Sequence, residues 1–550
     1  MFNHKLSSII YYFTHHKHID EVLCILQLYF FGEKIVQGTR NKDFKSFREF
    51  NEILEGSIKS YQEIGLDLNT NIFIIKSYFQ KDDNDNNKAV CCQVFQKNLL
   101  TLELDLLAQS SHELDLKTLD LPQSNMFNKE ISRLIKLTVF KALSQVRLIN
   151  MPWGILTGIR PTKKVNELLE NGYTEAQIKN TLREKYLVSD DKINLVHDIA
   201  RHEKDIIKDN YKKKVGIYIG IPFCPTRCVY CSFTSFNLSQ YEKKVDLYLD
   251  CLEKELVSFV DYYKNNLDNN NKIELESVYI GGGTPTSLNE NQFERFLNIV
   301  NINLIKNNSF INNNILEYTV EAGRADTITR KKLELLKEFG VTRISINPQT
   351  MRDKTLKLIG RNHTADDFIN AFNMAREVGH NNINADIILG LNEENSSDVE
   401  YTMKELLKLN PESLTVHTLS LKRASRLNEI LEEFSPQPFY EMDKMVRIAG
   451  EYASKMDMYG YYMYRQKNTL GNFENVGYCK EGFESVYNIQ IMEEKQSIIS
   501  FGAGSTTKFY FEEKNLLNRV FNLKSVDEYI RRIDEMIEKK TIGLEEWLEN

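Results

Sequence analysis

Between residues 212 and 421, short runs rich in β-branched and aromatic residues alternate with amphipathic stretches. The runs are VGIYIGI (215–221), ESVYIGG (276–282), LEYTVEA (316–322), TRISINP (342–348), INADIIL (383–389) and SLTVHTLS (413–420). Their length and near-continuous apolar character predict strands buried within a parallel sheet. The intervening segments 241–264, 325–338, 364–378 and 396–409 repeat apolar positions at helical spacing. Thr364, followed by Asp366 and Asp367, marks a helix start, because a threonine side chain accepts from the orphan amides of a first turn. Six strands alternating with helices predict an α/β fold, a partial (β/α)6 TIM-like barrel over residues 211–435.

The flanks read differently. NIFIIKSYF and AVCCQVF alternate around the polar turn KDDNDNNK, as the arms of a hairpin do, and residues 1–125 are expected to form a small α/β domain. Residues 126–210 are helical by pattern and form a connector that contains the loop MPWGILTGIRPTK (151–163). Past Pro436 and Pro438 a helix and then the glycine-rich FGAGSTTK predict a C-terminal α+β domain over 436–550. The Asn-rich tracts 264–272 and 307–314 read as solvated loops. The βα unit is the one periodicity along the chain.

Composition narrows the function classes. The 550 residues are 42% hydrophobic and 27% charged, the profile of a globular chain of two to four domains rather than a disordered or fibrous one. Seventy Lys and Arg stand against 77 Asp and Glu, a net charge of −7, which excludes a whole-chain basic footprint for nucleic acid. No apolar run approaches the ~20 residues of a membrane span. The N-terminal MFNHKLSSIIYYFTHHKH lacks the pattern of a secretory signal, so the expected location is the cytoplasm.

Three of the eight cysteines, Cys224, Cys228 and Cys231, fall within eight positions. Chance would give such a cluster about 0.002 times in a chain of this length and cysteine content. In a reducing compartment such clustering points to a metal or a redox role. Zinc calls for four closing ligands, commonly as two separated pairs, and no second pair exists. Three thiolates suit a four-iron cluster that keeps one iron open to an outside ligand. Gly220, Pro222 and Pro225 favour a tight non-helical loop, and that loop leaves the C-terminal end of the first strand, where barrel enzymes place their chemistry. The other five cysteines read as small buried hydrophobes.

Further candidates sit on the following strands. GGGTPT (281–286) ends the second strand with glycines that admit close backbone approach to a ligand. Glu321, Gln349 and Asp386 lie on or just after the third, fourth and fifth strands, each able to reach a ribose or an amino group through the barrel mouth. Arg324 and Arg361 are candidates to clamp a carboxylate bidentately, with a surface ion pair as the alternative. His417 lies on the sixth strand; Lys422, Arg423, Arg465 and Lys467 are candidates for a basic pocket facing an acidic substrate.

IPFCPTRCVYCSF, GGGTPT and VTRISINPQT…IGRNHT resemble the radical S-adenosylmethionine (SAM) enzymes. VHTLSLKRAS, YRQKN, NVGYC and YNIQIMEEKQ narrow the likeness to the HemZ-like coproporphyrinogen dehydrogenase group of the oxygen-independent coproporphyrinogen III oxidase family, over roughly residues 150 to 510. The resemblance implies that Cys224, Cys228 and Cys231 ligate a [4Fe-4S] cluster and that SAM's amino and carboxylate groups bind the open iron. It also implies that Tyr218 belongs to the SAM site, and that Gly282, Gly283, Thr284, Glu321, Gln349, Arg361 and Asp386 bind SAM. Two departures stand out: Phe233 occupies the position of a fourth cysteine in the well-studied oxidases, and Gly220 that of a histidine.

The reaction so implied is oxidative decarboxylation of coproporphyrinogen III propionates to vinyl groups, giving protoporphyrinogen IX. SAM cleavage supplies a 5′-deoxyadenosyl radical, an electron donor such as flavodoxin or ferredoxin supplies the electron, and Arg423 or Arg465 holds the propionates. Two relatives offer alternatives: a haem chaperone, and a radical SAM methyltransferase that degrades haem anaerobically. Chaperones of this kind carry an H-N-x-x-Y-W run where this chain reads YRQKNTLGN.

Overall fold

The computed structural model describes residues 9–13, 19–30, 35–37, 54, 58, 71–81, 87–98, 101, 103–114, 125–207, 214–266, 273–307, 310, 315–420, 437–466 and 469–549. Residues 1–158 with 174–194 make one compact unit, and 159–173 with 195–550 a second. In the first, strands β1 (Ile9–Phe13), β2 (Ile35–Gln37), β3 (Asn71–Lys81), β4 (Asn87–Asn98) and β5 (Leu104–Glu113) form one sheet in the order 2-1-3-4-5. β3 and β4 pair antiparallel, Ile74 opposite Phe95 and Ser77 opposite Cys92, as the alternation around the polar turn predicts. The helical stretch expected to connect the domains is divided. Helices Asn125–Val146 and Glu175–Tyr186 belong to the first unit, and Pro161–Glu170 with residues 195–207 to the second.

In the second unit each β-branched run becomes a strand: β6 (Lys214–Ile221), β7 (Glu274–Gly282), β8 (Glu317–Glu321), β9 (Arg343–Ser345), β10 (Ile383–Leu389) and β11 (Ser413–Thr418). Each pairs parallel with the next. Parallel neighbours need long crossovers, and the helices Val245–Asn266, Glu290–Val300, Arg330–Glu338, Ala365–Val378 and Ser396–Leu409 lie within them. Thr364 opens its helix with a capping box: its hydroxyl accepts from the Asp367 amide at 3.1 Å, and Asp367 Oδ2 accepts from the Thr364 amide at 2.8 Å.

One face of this sheet is apolar and the other is not. Ile217, Ile219, Val278, Ile280, Val320, Ile344, Ala385, Ile387, Leu414 and Val416 are buried on one side. Alternate residues Tyr218, Tyr279, Glu321, Ser345, Asn384, Asp386, Thr415 and His417 line a cavity on the other. The period-2 geometry of a strand sends these two sets to opposite faces.

The C-terminal residues, expected as a domain of their own, extend the barrel sheet at both edges. They contribute β12 (Tyr459–Tyr464), β13 (Asn475–Cys479), β14 (Ser497–Phe501), β15 (Thr506–Phe511) and β16 (Leu516–Phe521). The sheet order is β12-β13-β11-β10-β9-β8-β7-β6-β14-β15-β16. Thr415 pairs antiparallel with Gly477, and Ser500 parallel with Tyr218. Six parallel strands that do not close into a barrel leave two edges of unpaired amides and carbonyls, and the added strands satisfy them. The last helix, Ile533–Glu549, is tied to the helix Val245–Asn266 by the buried Lys540–Glu255 ion pair. Glu255 Oε2 also accepts from the Tyr529 hydroxyl at 2.6 Å and the Gly502 amide at 2.9 Å. Among the described residues, no helix is long and apolar enough to cross a membrane.

Candidate functional site

The C-terminal ends of β6 to β11 converge on a cavity of about 420 Å³ lined by Cys224, Cys228 and Cys231. The cysteine loop is a closed excursion: Phe223–Cys224 pairs with Phe236–Asn237, and the Phe236 amide donates to the Pro222 carbonyl at 2.8 Å. It is also anchored from across the site. The Val229 amide donates to the Ile359 carbonyl at 3.1 Å, and the Thr226 hydroxyl to the Gly360 carbonyl at 2.9 Å. All three thiols are unbridged. Burial pushes the Cys224 thiol up to about 11, against a lowering contact from Thr284, whose Oγ1 lies 3.4 Å from the sulfur. Burial raises Cys231 as well.

Among the described residues, no three His, Cys, Asp or Glu side chains gather tightly enough to hold a single metal ion. The three thiols instead share the wall of one cavity. That donor set, three sulfurs on one cavity wall, fits a multi-iron cluster that keeps one iron open.

The glycine motif packs against the start of this loop. The Gly283 amide donates to the Ile221 carbonyl at 2.8 Å and the Thr284 amide to the Phe223 carbonyl at 2.7 Å. A Cβ on Gly283 would sit 2.6 Å from the Phe223 oxygen, and one on Gly281 would sit 2.9 Å from the Glu321 carboxylate. Gly282 has φ +113°, a conformation that side chains disfavour. The motif therefore lets two backbones touch, and Gly282, Gly283 and Thr284 still face the cavity.

Tyr218, Glu321, Gln349, Arg361 and Asp386 line the same cavity, so expected site residues from β6, β8, β10 and the crossover after β9 are brought together. Tyr218 stands in a group of three near-parallel rings with Tyr279 and Tyr487, at centroid distances of 6.3 and 6.1 Å; the latter two are 4.3 Å apart. The Tyr279 hydroxyl donates to Glu321 Oε1 at 2.8 Å. Burial pushes the Glu321 carboxyl up to about 7, with the Asp386 charge adding to the rise and the Tyr279 bond opposing it. Asp386 behaves in the opposite way. Burial raises it, but His417, with Nε2 3.7 Å from Oδ2, and Asn384, whose Nδ2 donates to Oδ1 at 2.7 Å, bring it below the usual carboxylate value. His417 Nδ1 is 3.2 Å from the Tyr464 hydroxyl, which fixes the ring.

Gln349 has φ +66°, held there because its amide donates to the Asp386 carbonyl at 2.9 Å and its carbonyl accepts from Ile388 at 3.0 Å. Arg361 donates to the Gly323 carbonyl at 2.7 Å and to the Tyr230 hydroxyl at 3.0 Å, while its buried Nε has no partner. Arg324 is not available to clamp a ligand's carboxylate, because its Nε and Nη2 already grip Asp326 at 3.0 and 2.8 Å. Arg465, expected to meet substrate, is buried and donates to the Asn472 carbonyl at 3.2 Å; it is absent from the cavity wall. Arg423, Lys422 and Lys467 lie outside the described residues.

Sequence reasoning missed Tyr230, Tyr279, Tyr462, Tyr487 and Arg343, all of which line the cavity. Tyr279 was signalled by its place two residues before the glycine motif, the same inward parity as Glu321 on its own strand. Arg343 is nearly wholly buried; it donates to the Ser413 hydroxyl at 3.3 Å, and its Nε has no partner. Phe233 stands on the cavity wall with 69% of its surface exposed, so its aromatic face is open at the mouth of the site.

The radical SAM superfamily profile matches residues 218–406. Over 432 residues the chain is 38% identical to the oxygen-independent coproporphyrinogen-III oxidase-like protein HemZ of Bacillus subtilis (strain 168), covering 78% of this chain and 84% of that one. It is 31% identical over 290 residues to the heme chaperone HemW of the same organism, covering 52% and 69%. Among solved structures, the coproporphyrinogen III oxidase HemN from Escherichia coli, a radical SAM enzyme, aligns with a TM-score of 0.47 at 19% identity, covering 62% and 73%.

Proposed function

The chain belongs to the radical SAM superfamily, among the oxygen-independent coproporphyrinogen III oxidase-like proteins, and from that premise we propose that it converts coproporphyrinogen III to protoporphyrinogen IX. In each of two rounds a propionate would lose a β-hydrogen atom to the SAM-derived radical, then carbon dioxide and one electron, the electron passing to an external one-electron acceptor, and become a vinyl group. The observation that carries the reading is the meeting of three unbridged thiols with Glu321, Gln349, Arg361 and Asp386 on one cavity wall.

Cys224, Cys228 and Cys231 would hold a [4Fe-4S] cluster, with one iron left for SAM. When bound, that pair of groups supplies the hydrogen-abstracting radical chemistry that side chains lack. The chain's own residues bind and orient. The unpartnered Arg361 Nε is a donor suited to a carboxylate, and the ionised Asp386 an acceptor suited to an amino group or ribose hydroxyl. Gly282 and Gly283 leave room for backbone approach, and the Tyr218–Tyr279–Tyr487 rings make an aromatic stretch of the cavity wall. Tyr218 is the residue of that wall on β6, the strand that leads into the cysteine loop. The cavity would take a tetrapyrrole from its open side, an electron donor such as flavodoxin or ferredoxin would reduce the cluster, and the thiols would require a reducing compartment, the cytoplasm.

The likeness to a heme chaperone supports a second reading, in which the same site binds haem without turnover. An anaerobic assay with reconstituted protein, SAM and each tetrapyrrole in turn separates them. Protoporphyrinogen formed from coproporphyrinogen III supports the first. Stoichiometric haem binding with no tetrapyrrole product supports the second.

A further inference from the structure

Arg324 is 3% exposed and its guanidinium is divided between two tasks. One edge, Nε and Nη2, makes a fork–fork pair with Asp326 at 3.0 and 2.8 Å. The remaining nitrogen, Nη1, reaches the cysteine loop, donating to the Thr226 carbonyl at 3.1 Å, the Thr226 hydroxyl at 2.9 Å and the Cys228 sulfur at 3.9 Å. Asp326 is itself braced, since the buried His363 ring has Nδ1 3.9 Å from its Oδ1. The fork fixes the plane of the guanidinium, so the third nitrogen is aimed at the loop rather than free to turn to a ligand.

Resting on the cluster reading above, we propose that Arg324 is a positioning residue that locks the Cys224–Cys231 loop and, through its N–H···S bond to Cys228, raises the reduction potential of the cluster held there. Reduction adds a negative charge to the cluster. A buried cation beside one of its sulfurs stabilises the reduced form more than the oxidised one, and does so strongly because water is excluded. Asp326 offsets part of this charge from the far edge, so it orients the cation at some cost to its field.

The test is an EPR-monitored redox titration of the full-length reconstituted protein, with iron and sulfide counted on every sample. R324Q is expected to lower the midpoint so that the reduced-to-oxidised ratio at fixed poise falls about tenfold, about 59 mV for one electron. R324K, which keeps the cation and changes the N–H···S geometry, is expected to lie between R324Q and the parent. A fully loaded R324Q with an unmoved or raised potential overturns the inference. If R324Q takes up no iron, R324K decides: a fully loaded R324K with the parent potential overturns the inference. A parent protein with no four-iron cluster would overturn the underlying reading as well, and the iron count shows which has failed.

Discussion

Tyr279 and Glu321, on neighbouring strands of the barrel, are joined by a 2.8 Å hydrogen bond from the phenol to Oε1. The bond places a carboxyl that burial has pushed up to about 7 directly beneath the glycine motif, whose Gly281 leaves no room for a side chain there. A site built this way carries its own pH signature.

Glu321 titrates near 7 when folded and near its ordinary 4.5 when unfolded. A raised carboxyl stabilises the fold while neutral. That contribution is complete below about 4.5 and is lost as pH rises through 7, with an upper bound of about 3 kcal/mol, reduced because the group faces the cavity. Replacing Glu321 with Gln should flatten the loss of stability between these pH values, read from urea midpoints of the ligand-free protein. An unchanged slope in E321Q would assign the titration elsewhere.

Single alanine replacements of Cys224, Cys228 or Cys231 should abolish stable iron and sulfide uptake, because two thiolates cannot hold a cluster against solvent. Cys24→Ala and Cys251→Ala should load normally, both lying on helices apart from the cavity wall. Iron and sulfide analysis after anaerobic reconstitution checks this. Full loading of C228A would contradict it.

Gly283→Ala drives a methyl to 2.6 Å from the Phe223 carbonyl, a backbone atom that cannot swing aside. The expected cost is about 1–3 kcal/mol, with a displaced cysteine loop and weaker SAM binding. Thermal denaturation and equilibrium dialysis with SAM measure the two effects separately. By contrast Gly172→Ala, where the added carbon meets nothing within 4 Å, costs only the strain of its positive φ and leaves SAM binding intact.

Lys540→Met strips the cation from the buried Glu255, which also holds Tyr529, Asn522 and the Gly502 amide. Leaving that carboxylate uncompensated should destabilise the second unit by about 3–5 kcal/mol. The E255Q/K540M double variant should recover much of the loss, since both charges are then gone. Denaturant titration of the three proteins gives the answer.

The parallel strands were legible because each pairs a β-branched run with turn residues, and their boundaries in 383–389 and 413–418 match the sequence pattern to within two residues. The cysteine loop, Glu321, Gln349 and Asp386 lie on or just after these strands, so finding the strand brings the residue into view. The C-terminal strands were not. SIISF was hidden by the adjacent glycines of FGAG, and YGYYMY and NVGYC carry no alternation that separates them from a loop: they pair with each other, and NVGYC also with β11, a long-range pairing that no local pattern announces. The tyrosine stack was invisible because Tyr218, Tyr279 and Tyr487 come from three elements that only the folded sheet brings together. For Arg324 the sequence offers a ligand clamp and an ion pair with neighbouring acids alike; the fold takes the ion pair, with Asp326 two residues away, because sequence alone does not say which way a guanidinium turns.

The central claim is a cluster held at three corners, with its fourth iron reserved for SAM. Mössbauer spectroscopy of the 57Fe-reconstituted protein, with and without SAM, tests it most directly. Four irons per chain are expected, of which one changes its isomer shift and quadrupole splitting when SAM is added. Four irons that all ignore SAM, or a chain that binds none, would contradict it.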